Sequence, residues 1–254
     1  MFWAEPLRAH LLRLYVILTA ALLPFVLWPG IDTAVAGWFH SPGAGFPLDR
    51  APLVRALRDG LWDLSILGFV VILAGLALSF IRPARIPRRV WECAAGFYLV
   101  GPVLLSHELL KTHWHRPRPA ELTQFGGFAD FTGPLAMLGM CNHNCAFPSG
   151  EVSGAAALAL VLLLFLPAIR NRGWQSAVLF LAVLIVLSSS LLRMAMGRHF
   201  LSDCIFAVLF MFATWSLFVR LLPPEWQPSL TWRRSRATPT PATETQASQT
   251  TSPR

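Results

Sequence analysis

Charged residues are scarce in this chain of 254 residues. Asp, Glu, Lys and Arg make up only 13% of the sequence, whereas 55% is hydrophobic and the mean hydropathy is +0.54. This composition excludes an ordinary soluble domain. A globular core of packed helices is the alternative, but almost nothing polar would remain to coat its outside. The chain is therefore predicted to be a membrane protein.

Cysteine is scarce as well, and the four cysteines form no obvious disulfide framework. Cys93 and Cys204 fall in or beside apolar stretches and are expected to be packing residues. Cys141 and Cys145 share the loop sequence CNHNC, where an oxidising compartment would permit a disulfide. His143 lies between them, but the spacing matches no familiar zinc arrangement and supplies only three ligands. We therefore expect no metal.

A long basic tract is also missing. The net charge of +8 is spread over several short loops, which favours anionic lipid headgroups or phosphates as partners over nucleic acid. Residues 225–254 are rich in Pro, Thr, Ser and Gln. That composition predicts a disordered tail on the cytoplasmic side.

Long apolar runs are abundant, and several approach the roughly 20 residues that cross the hydrocarbon core of a bilayer. They predict an all-α, six-helix transmembrane bundle. The domain would cover residues 1–224, with spans at about 10–29, 61–81, 91–110, 150–168, 174–192 and 203–222. The first span ends in LWPG instead of a small-residue cleavage site, so it is expected to be retained. The loop at 30–60 is expected to lie along the membrane surface, anchored by its aromatic residues.

Arginines in the short connections predict the orientation. With the N-terminus inside, the loops at 82–90 and 169–173 are cytoplasmic, and they hold Arg82, Arg85, Arg88, Arg89, Arg170 and Arg172. The opposite face also carries basic residues, against the simple rule. These are Lys111, Arg116, Arg118, Arg193 and Arg198, and they need another explanation.

Two polar clusters flank the long exterior loop at 111–149. The first, KTHWHRPRP, contains Lys111 and Arg118, for which snorkelling toward headgroups is the simplest role. The second, FPSGEVSG, places Ser149 as a helix N-cap and Glu151 in the first helical turn, where a carboxylate is favourable. The same helix start would also bind an anion. A charged Glu151 would repel that anion unless it were protonated or turned toward a leaving group.

The third cluster, RMAMGRHFLSD, contains Arg193, His199 and Asp203. On a helix, residues four apart share a face, so His199 and Asp203 are expected to form a hydrogen bond. A histidine held by a carboxylate is suited to nucleophilic or acid–base chemistry, although a satisfied polar contact is the simpler interpretation. All three clusters fall on the exterior face. Together they offer cations, a helix N-terminus and a His–Asp pair, a set that binds and attacks a phosphoryl group.

These three stretches, in this order, resemble the three-part signature of the type 2 phosphatidic acid phosphatase superfamily. The resemblance covers about residues 60–222 and rests on Lys111, Arg118-Pro119, Pro148-Ser149-Gly150, Arg193, His199 and Asp203. It implies that Lys111, Arg118 and Arg193 clamp the phosphate oxygens, with the Ser149 hydroxyl and the Gly150 N–H completing the cradle. It also implies that His199 forms a phosphohistidine, that Asp203 orients the ring, and that no metal or other cofactor takes part.

Glu151 departs from this signature, because the family's usual residue there is a His thought to protonate the departing alkoxide. Glu151 is a candidate general acid only if it is protonated, which burial would favour and the nearby cations would oppose. His143 and His115 are the other candidate proton donors. A leaving group that needs little help is the remaining possibility.

The resemblance implies an integral membrane lipid phosphatase that hydrolyses a phosphate monoester or pyrophosphate of an envelope lipid. We expect it in the bacterial cytoplasmic (inner) membrane as a multi-pass protein with its active site facing the periplasm. Lipid A and related envelope-lipid phosphatases are the favoured branch. Undecaprenyl pyrophosphate, phosphatidylglycerophosphate and phosphatidic acid phosphatases are alternatives, and a lipid phosphotransferase or a non-catalytic lipid-phosphate binder are the other classes.

Overall fold

Seven helices organise the computed structural model, which describes residues 5–81, 85–137, 139–142 and 144–227. They are α1 (Leu7–Leu27), α2 (Gly30–Gly37), α3 (Pro52–Ile81), α4 (Arg88–Lys111), α5 (Gly150–Leu164), α6 (Arg172–Ala195) and α7 (Leu201–Val219). All except α2 belong to segments that are long and apolar enough to cross a membrane. For α5 this segment is Gly150–Ala168, which includes the turn after the helix. The predicted all-α architecture with six spans is confirmed.

The boundaries differ from the predicted ones most at the second span. This helix, α3, begins at Pro52, not at residue 61, and proline is well suited to a first helical turn. Arg55, Arg58 and Asp59 therefore belong to a helix. The short helix α2 also lies within the stretch that was expected to run along the membrane surface.

The predicted disordered tail at 225–254 lies outside the described residues from position 228 onward. The division into a membrane domain over 1–224 and a tail stays a prediction.

Helix α5 forms the centre of the bundle and packs against α3, α4, α6 and α7. Its buried face carries small residues, including Ala155, Ala156 and Ala157, which let neighbouring helices approach closely. In the most apolar stretches of α5 and α7, 56% of the residues are buried, against 11% in α3. The outer helices present large apolar side chains such as Leu67, Val71 and Phe180. Such a surface suits lipid, and the chain is a multi-pass membrane protein.

One end of the bundle gathers the polar residues, and we call it the site end. Here α4 and α6 finish while α3, α5 and α7 begin. The turn between α6 and α7 needs Gly197, which has φ +65° and whose added Cβ would lie 2.4 Å from the Phe46 ring. The loop between α4 and α5 covers this end and contains a disulfide between Cys141 and Cys145. The connections that hold Arg85 and Arg170 lie at the opposite end.

Candidate active site

A polar cavity of about 400 Å³ opens at the site end. It is lined by five of the predicted site residues, Lys111, Arg118, Glu151, Arg193 and His199, and by Arg198. These side chains come from α4, the α4–α5 loop, α5, α6 and the α6–α7 turn. The folded chain thus joins the three sequence clusters around one space.

The three predicted clamp cations surround this cavity. Lys111 is the last residue of α4, and its Nζ would lie 3.8 Å from a Cβ added at Gly150, so the amine stands over the start of α5. The Nη2 of Arg118 donates to the carbonyl of Asn144 at 2.6 Å. Burial lowers the pKa of Arg118, and the nearby charge of Arg198 adds to this effect. A bound anion would offset both effects.

Two guanidinium nitrogens of the clamp lack a partner within the part of the chain that the structure describes. The Nε–H groups of Arg118 and Arg193 are buried and donate to no acceptor among the described residues. Buried donors are normally paired. Charged N–H groups left open beside a cavity are the arrangement that a phosphate oxygen would complete.

Ser149 and Gly150 form the start of α5. The Ser149 Oγ accepts from the Val152 N–H at 3.4 Å, and the Ser149 N–H donates to the carbonyl of Asp203 at 3.3 Å. These contacts confirm the predicted N-cap and tie α5 to α7. Ser149 is fully buried and is not among the described residues that line the cavity. Its part in the phosphate cradle, with that of the Gly150 N–H, stays a prediction.

His199 is held differently from the expected hydrogen-bonded pair. It precedes α7, which begins at Leu201, so His199 and Asp203 do not share a helical face as expected. The Nδ1 of His199 donates to the carbonyl of Ala146 at 2.7 Å, whereas the nearest Asp203 oxygen lies 3.8 Å away. That second distance is too long for a hydrogen bond but short enough for electrostatic attraction.

This geometry fixes the chemical state of the imidazole. Because Nδ1 carries the proton that is hydrogen-bonded to the Ala146 carbonyl, the lone pair lies on Nε2. His199 is 2% exposed, and burial lowers its pKa to about 4, although Asp203 opposes the shift. The ring is therefore neutral at physiological pH. A neutral imidazole beside three cations can attack phosphorus.

A buried network that the sequence analysis missed surrounds Asp203. Arg116, which is fully buried, contacts Asp203 at 2.5 Å and Asp32 at 2.7 Å. Asp32 comes from α2 and also accepts from the Ser202 N–H at 2.9 Å. The other Asp203 oxygen accepts from the Phe200 N–H at 2.7 Å. The sequence marks Arg116 only as an extra cation on this face, and no local sequence pattern connects Asp32 to this site.

A second missed residue, Arg58, binds Glu151. The Nε of Arg58 donates to one oxygen of Glu151 at 2.8 Å, and Nη2 donates to the other oxygen. The Nη1 of Arg193 lies 3.3 Å from the same carboxylate. Two guanidinium groups favour the ionised form of Glu151, whereas the candidate role as general acid needs the protonated form.

The other candidate proton donors lie elsewhere. The Nδ1 of His115 donates to the carbonyl of Cys141 at 2.8 Å, and His115 lines a neighbouring cavity together with Lys111. His143 lies outside the described residues. The disulfide occupies both thiols of the CNHNC loop, so these sulfurs are not free to bind a metal.

Known proteins resemble this chain in sequence. The pattern of the PAP2 superfamily matches residues 91–227. The chain is 30% identical over 218 residues to the lipid A 4'-phosphatase of Francisella tularensis subsp. novicida (strain U112), covering 83% of this chain and 95% of that protein. It is 39% identical over 114 residues to the lipid A 4'-phosphatase of Rhizobium leguminosarum, covering 45% of this chain and 47% of that protein.

A solved structure shares the fold. It is the crystal structure of the first transmembrane PAP2 type phosphatidylglycerolphosphate phosphatase from Bacillus subtilis, with a TM-score of 0.52 at 18% identity. The match covers 82% of this chain and 92% of that one. The family pattern spans more than half of the sequence and includes His199 and all three clamp cations. The chain belongs to the PAP2 superfamily.

Proposed function

We propose that this protein is an integral membrane lipid phosphatase that removes phosphate from a lipid A type glycolipid through a phosphohistidine on His199. The observation that carries the proposal is the neutral imidazole of His199 in a cavity with Lys111, Arg118 and Arg193. The unpaired buried Nε atoms of the two arginines support a phosphoryl ligand at this position.

The reaction would proceed in two displacements. The Nε2 lone pair of His199 attacks phosphorus, and the ester P–O bond breaks with its electron pair on the departing lipid oxygen, which then takes up a proton from water. Water next attacks the phosphohistidine, the P–N bond breaks, and inorganic phosphate leaves. The clamp cations neutralise charge on the phosphoryl oxygens in both steps. The Ala146 carbonyl holds Nδ1–H throughout, and Asp203 stabilises the ring while it carries positive charge.

The choice of lipid is supported by the relatives. Two of them are lipid A 4'-phosphatases, and one of these aligns over 95% of its own length. A phosphate monoester on a sugar ring is therefore the favoured substrate, ahead of a pyrophosphate or a glycerophospholipid phosphate.

Features at both ends of the bundle support an orientation in the membrane and a cellular location. Arginines such as Arg85, Arg88 and Arg172 occupy the end away from the site, as expected of a cytoplasmic face. The disulfide between Cys141 and Cys145 lies at the site end, where it fits an oxidising compartment. We infer that the protein resides in a bacterial inner membrane with the site facing the periplasm.

Phosphate release from defined lipids tests this function. Purified protein in detergent would be given lipid A, undecaprenyl pyrophosphate, phosphatidylglycerophosphate and phosphatidic acid, with inorganic phosphate and phosphorylated lipid products both measured. We expect inorganic phosphate, fastest from lipid A. His199→Ala should lower the rate by about 10³-fold or more, whereas His113→Ala, an exposed histidine at the same end, should keep it. No phosphate from any of these lipids, with folded protein, would refute the proposal, and phosphate passed to a second lipid would indicate a phosphotransferase.

A further inference from the structure

Glu151 occupies the position where the family's signature has a proton-donating histidine, and its contacts in this protein are unlike those of a proton donor. Arg58 binds both of its carboxylate oxygens, and Arg193 lies 3.3 Å from one of them. The Glu151 side chain is 15% exposed, so water competes little with these contacts. A carboxylate bound by two guanidinium groups is ionised, so it has no proton to donate.

The charges in the cavity explain why such a pair is needed. Lys111, Arg118 and Arg193 alone would present three positive charges to a phosphate. The ionised Glu151 removes one of them, and it lies on the wall of the same cavity. Arg58 returns that charge. The other charged residues of the lining cancel in pairs, because Arg55 and Arg198 are matched by Asp49 and Asp59, so the cavity keeps the net charge of three cations.

Arg58 is also placed to contact a ligand. It lines the same cavity as His199 although it lies 93 residues before Glu151 in the chain. Three of its five N–H groups are used, two by Glu151 and one by Asp59 at 2.7 Å. The remaining two can donate to a phosphate oxygen while the pair with Glu151 stays intact.

We propose that Arg58 is a fourth phosphate-binding cation of this site, and that Glu151 is a positioning residue that holds Arg58 and Arg193 at the cavity. The proposal rests on the proposed function in one respect, since both take a phosphoryl group as the ligand. It changes the role of Glu151 from general acid to partner of two arginines.

Inorganic phosphate is the probe that tests the pair without turnover. Its affinity would be measured by protection of the full-length protein against thermal unfolding in detergent, and by competitive inhibition where a lipid phosphate is hydrolysed. The set comprises the wild type, Arg58→Gln, Glu151→Gln and the double variant. Arg50→Gln is the matched control, because Arg50 is an exposed arginine near the same end and does not line the cavity.

Arg58→Gln should weaken phosphate binding by about tenfold or more, because it removes a charge-assisted donor and leaves Glu151 to repel the anion. Adding Glu151→Gln should restore only part of this loss, because the unpaired carboxylate no longer repels the anion while the donor of Arg58 is still missing. Arg50→Gln should change affinity by less than about twofold. In the Glu151→Gln background, loss of Arg58 should therefore matter far less than it does in the wild type.

Two results would overturn the inference. One is unchanged phosphate affinity in folded Arg58→Gln, and the other is a double variant that binds as weakly as Arg58→Gln. If Arg58→Gln does not fold, Arg58→Lys replaces it, and this variant should keep phosphate affinity within about threefold because it keeps the cation. A purely structural pair would shift the unfolding temperature and leave phosphate affinity unchanged. If no lipid were hydrolysed but the phosphate pattern held, only the proposed function would fail.

Discussion

Replacing Arg116 with Met should destabilise the site end more than any change to a surface arginine. Arg116 is fully buried and is the cation between Asp32 and Asp203, which are 1% and 0% exposed. Methionine is of similar length and keeps much of the packing against the Phe200 ring, whose centroid lies 4.3 Å from the guanidinium carbon. The variant therefore removes mainly the charge and its hydrogen bonds.

The size of the effect follows from these contacts. Removing one partner of a buried ion pair costs about 3–5 kcal/mol, because it leaves an uncompensated charge away from water. For a chain of this size, 1 kcal/mol corresponds to a shift of about 2–4 °C in the unfolding midpoint. We expect the midpoint of Arg116→Met to fall by about 6–20 °C, with a loss of kcat because Asp203 and the backbone beside His199 are no longer fixed.

The loss should also depend on pH in a defined direction. Burial raises the pKa of Asp32, Arg116 opposes the rise, and Asp203 adds to it. Without the arginine this pKa rises further, so the folded protein binds a proton more tightly than the unfolded chain does. Stability is then lost as pH rises from the unfolded value of about 3.8 through the folded value. The midpoint of Arg116→Met should recover as the pH is lowered from 8 toward 5.

Thermal unfolding in detergent, followed by tryptophan fluorescence at matched scan rates, measures this. Arg198→Met is the control, because the Arg198–Asp49 pair is 36% and 22% exposed and such pairs contribute about 0–1 kcal/mol. The double variant Arg116→Met with Asp32→Asn should regain part of the loss, since only one carboxylate is then left unpaired. The reasoning is refuted if Arg116→Met unfolds within about 3 °C of Arg198→Met.

Other outcomes test separate parts of the structure. The lowered pKa of His199 keeps the ring neutral down to about pH 4, so the pH profile of kcat should show no loss of activity near pH 6.5. A loss near pH 6.5 that stays the same for substrates whose phosphate groups differ in acidity would contradict this. The unfolded chain binds that proton first, so stability should also fall as pH drops from 6.5 toward 4. Reduction of the Cys141–Cys145 disulfide should lower kcat/KM by about tenfold, and reoxidation should restore it. The reason is that the carbonyl of Asn144, inside this loop, holds Arg118 and the carbonyl of Ala146, directly after it, holds His199. An unchanged rate after verified reduction would refute that link. Gly197→Ala should lower stability by about 1–3 kcal/mol in thermal unfolding, since its positive φ and the nearby Phe46 ring oppose a side chain; an unchanged midpoint would argue against this turn.

The spans and the three site clusters could be predicted because their signals are local. Apolar length marks each helix, and Lys111, Arg118, Arg193 and His199 are marked by spacing and by their position at the ends of spans. Successive spans cross the membrane in opposite directions, and this alternation alone predicts that the three clusters lie at the same end of the bundle. These parts of the sequence analysis agree with the observed cavity.

The contacts that tune the site could not be predicted in the same way. Arg58 pairs with a residue 93 positions away, and Asp32 contacts Ser202 across 170 positions, so no periodicity or motif links them. The hydrogen bond expected between His199 and Asp203 assumed that both lie on one helix. The chain instead turns at Gly197, which brings His199 to the carbonyl of Ala146 before α7 begins. Each of these contacts depends on tertiary packing, which no local pattern in the sequence encodes.

Capture of the covalent intermediate tests the central claim most directly. Protein given a lipid substrate labelled with ³²P would be quenched within the first turnover, digested under alkaline conditions and mapped by mass spectrometry. We predict one acid-labile, base-stable label on Nε2 of His199, absent from His199→Ala and present in His113→Ala. Release of phosphate in the first turnover with no labelled histidine, or with label on another residue, would contradict the account.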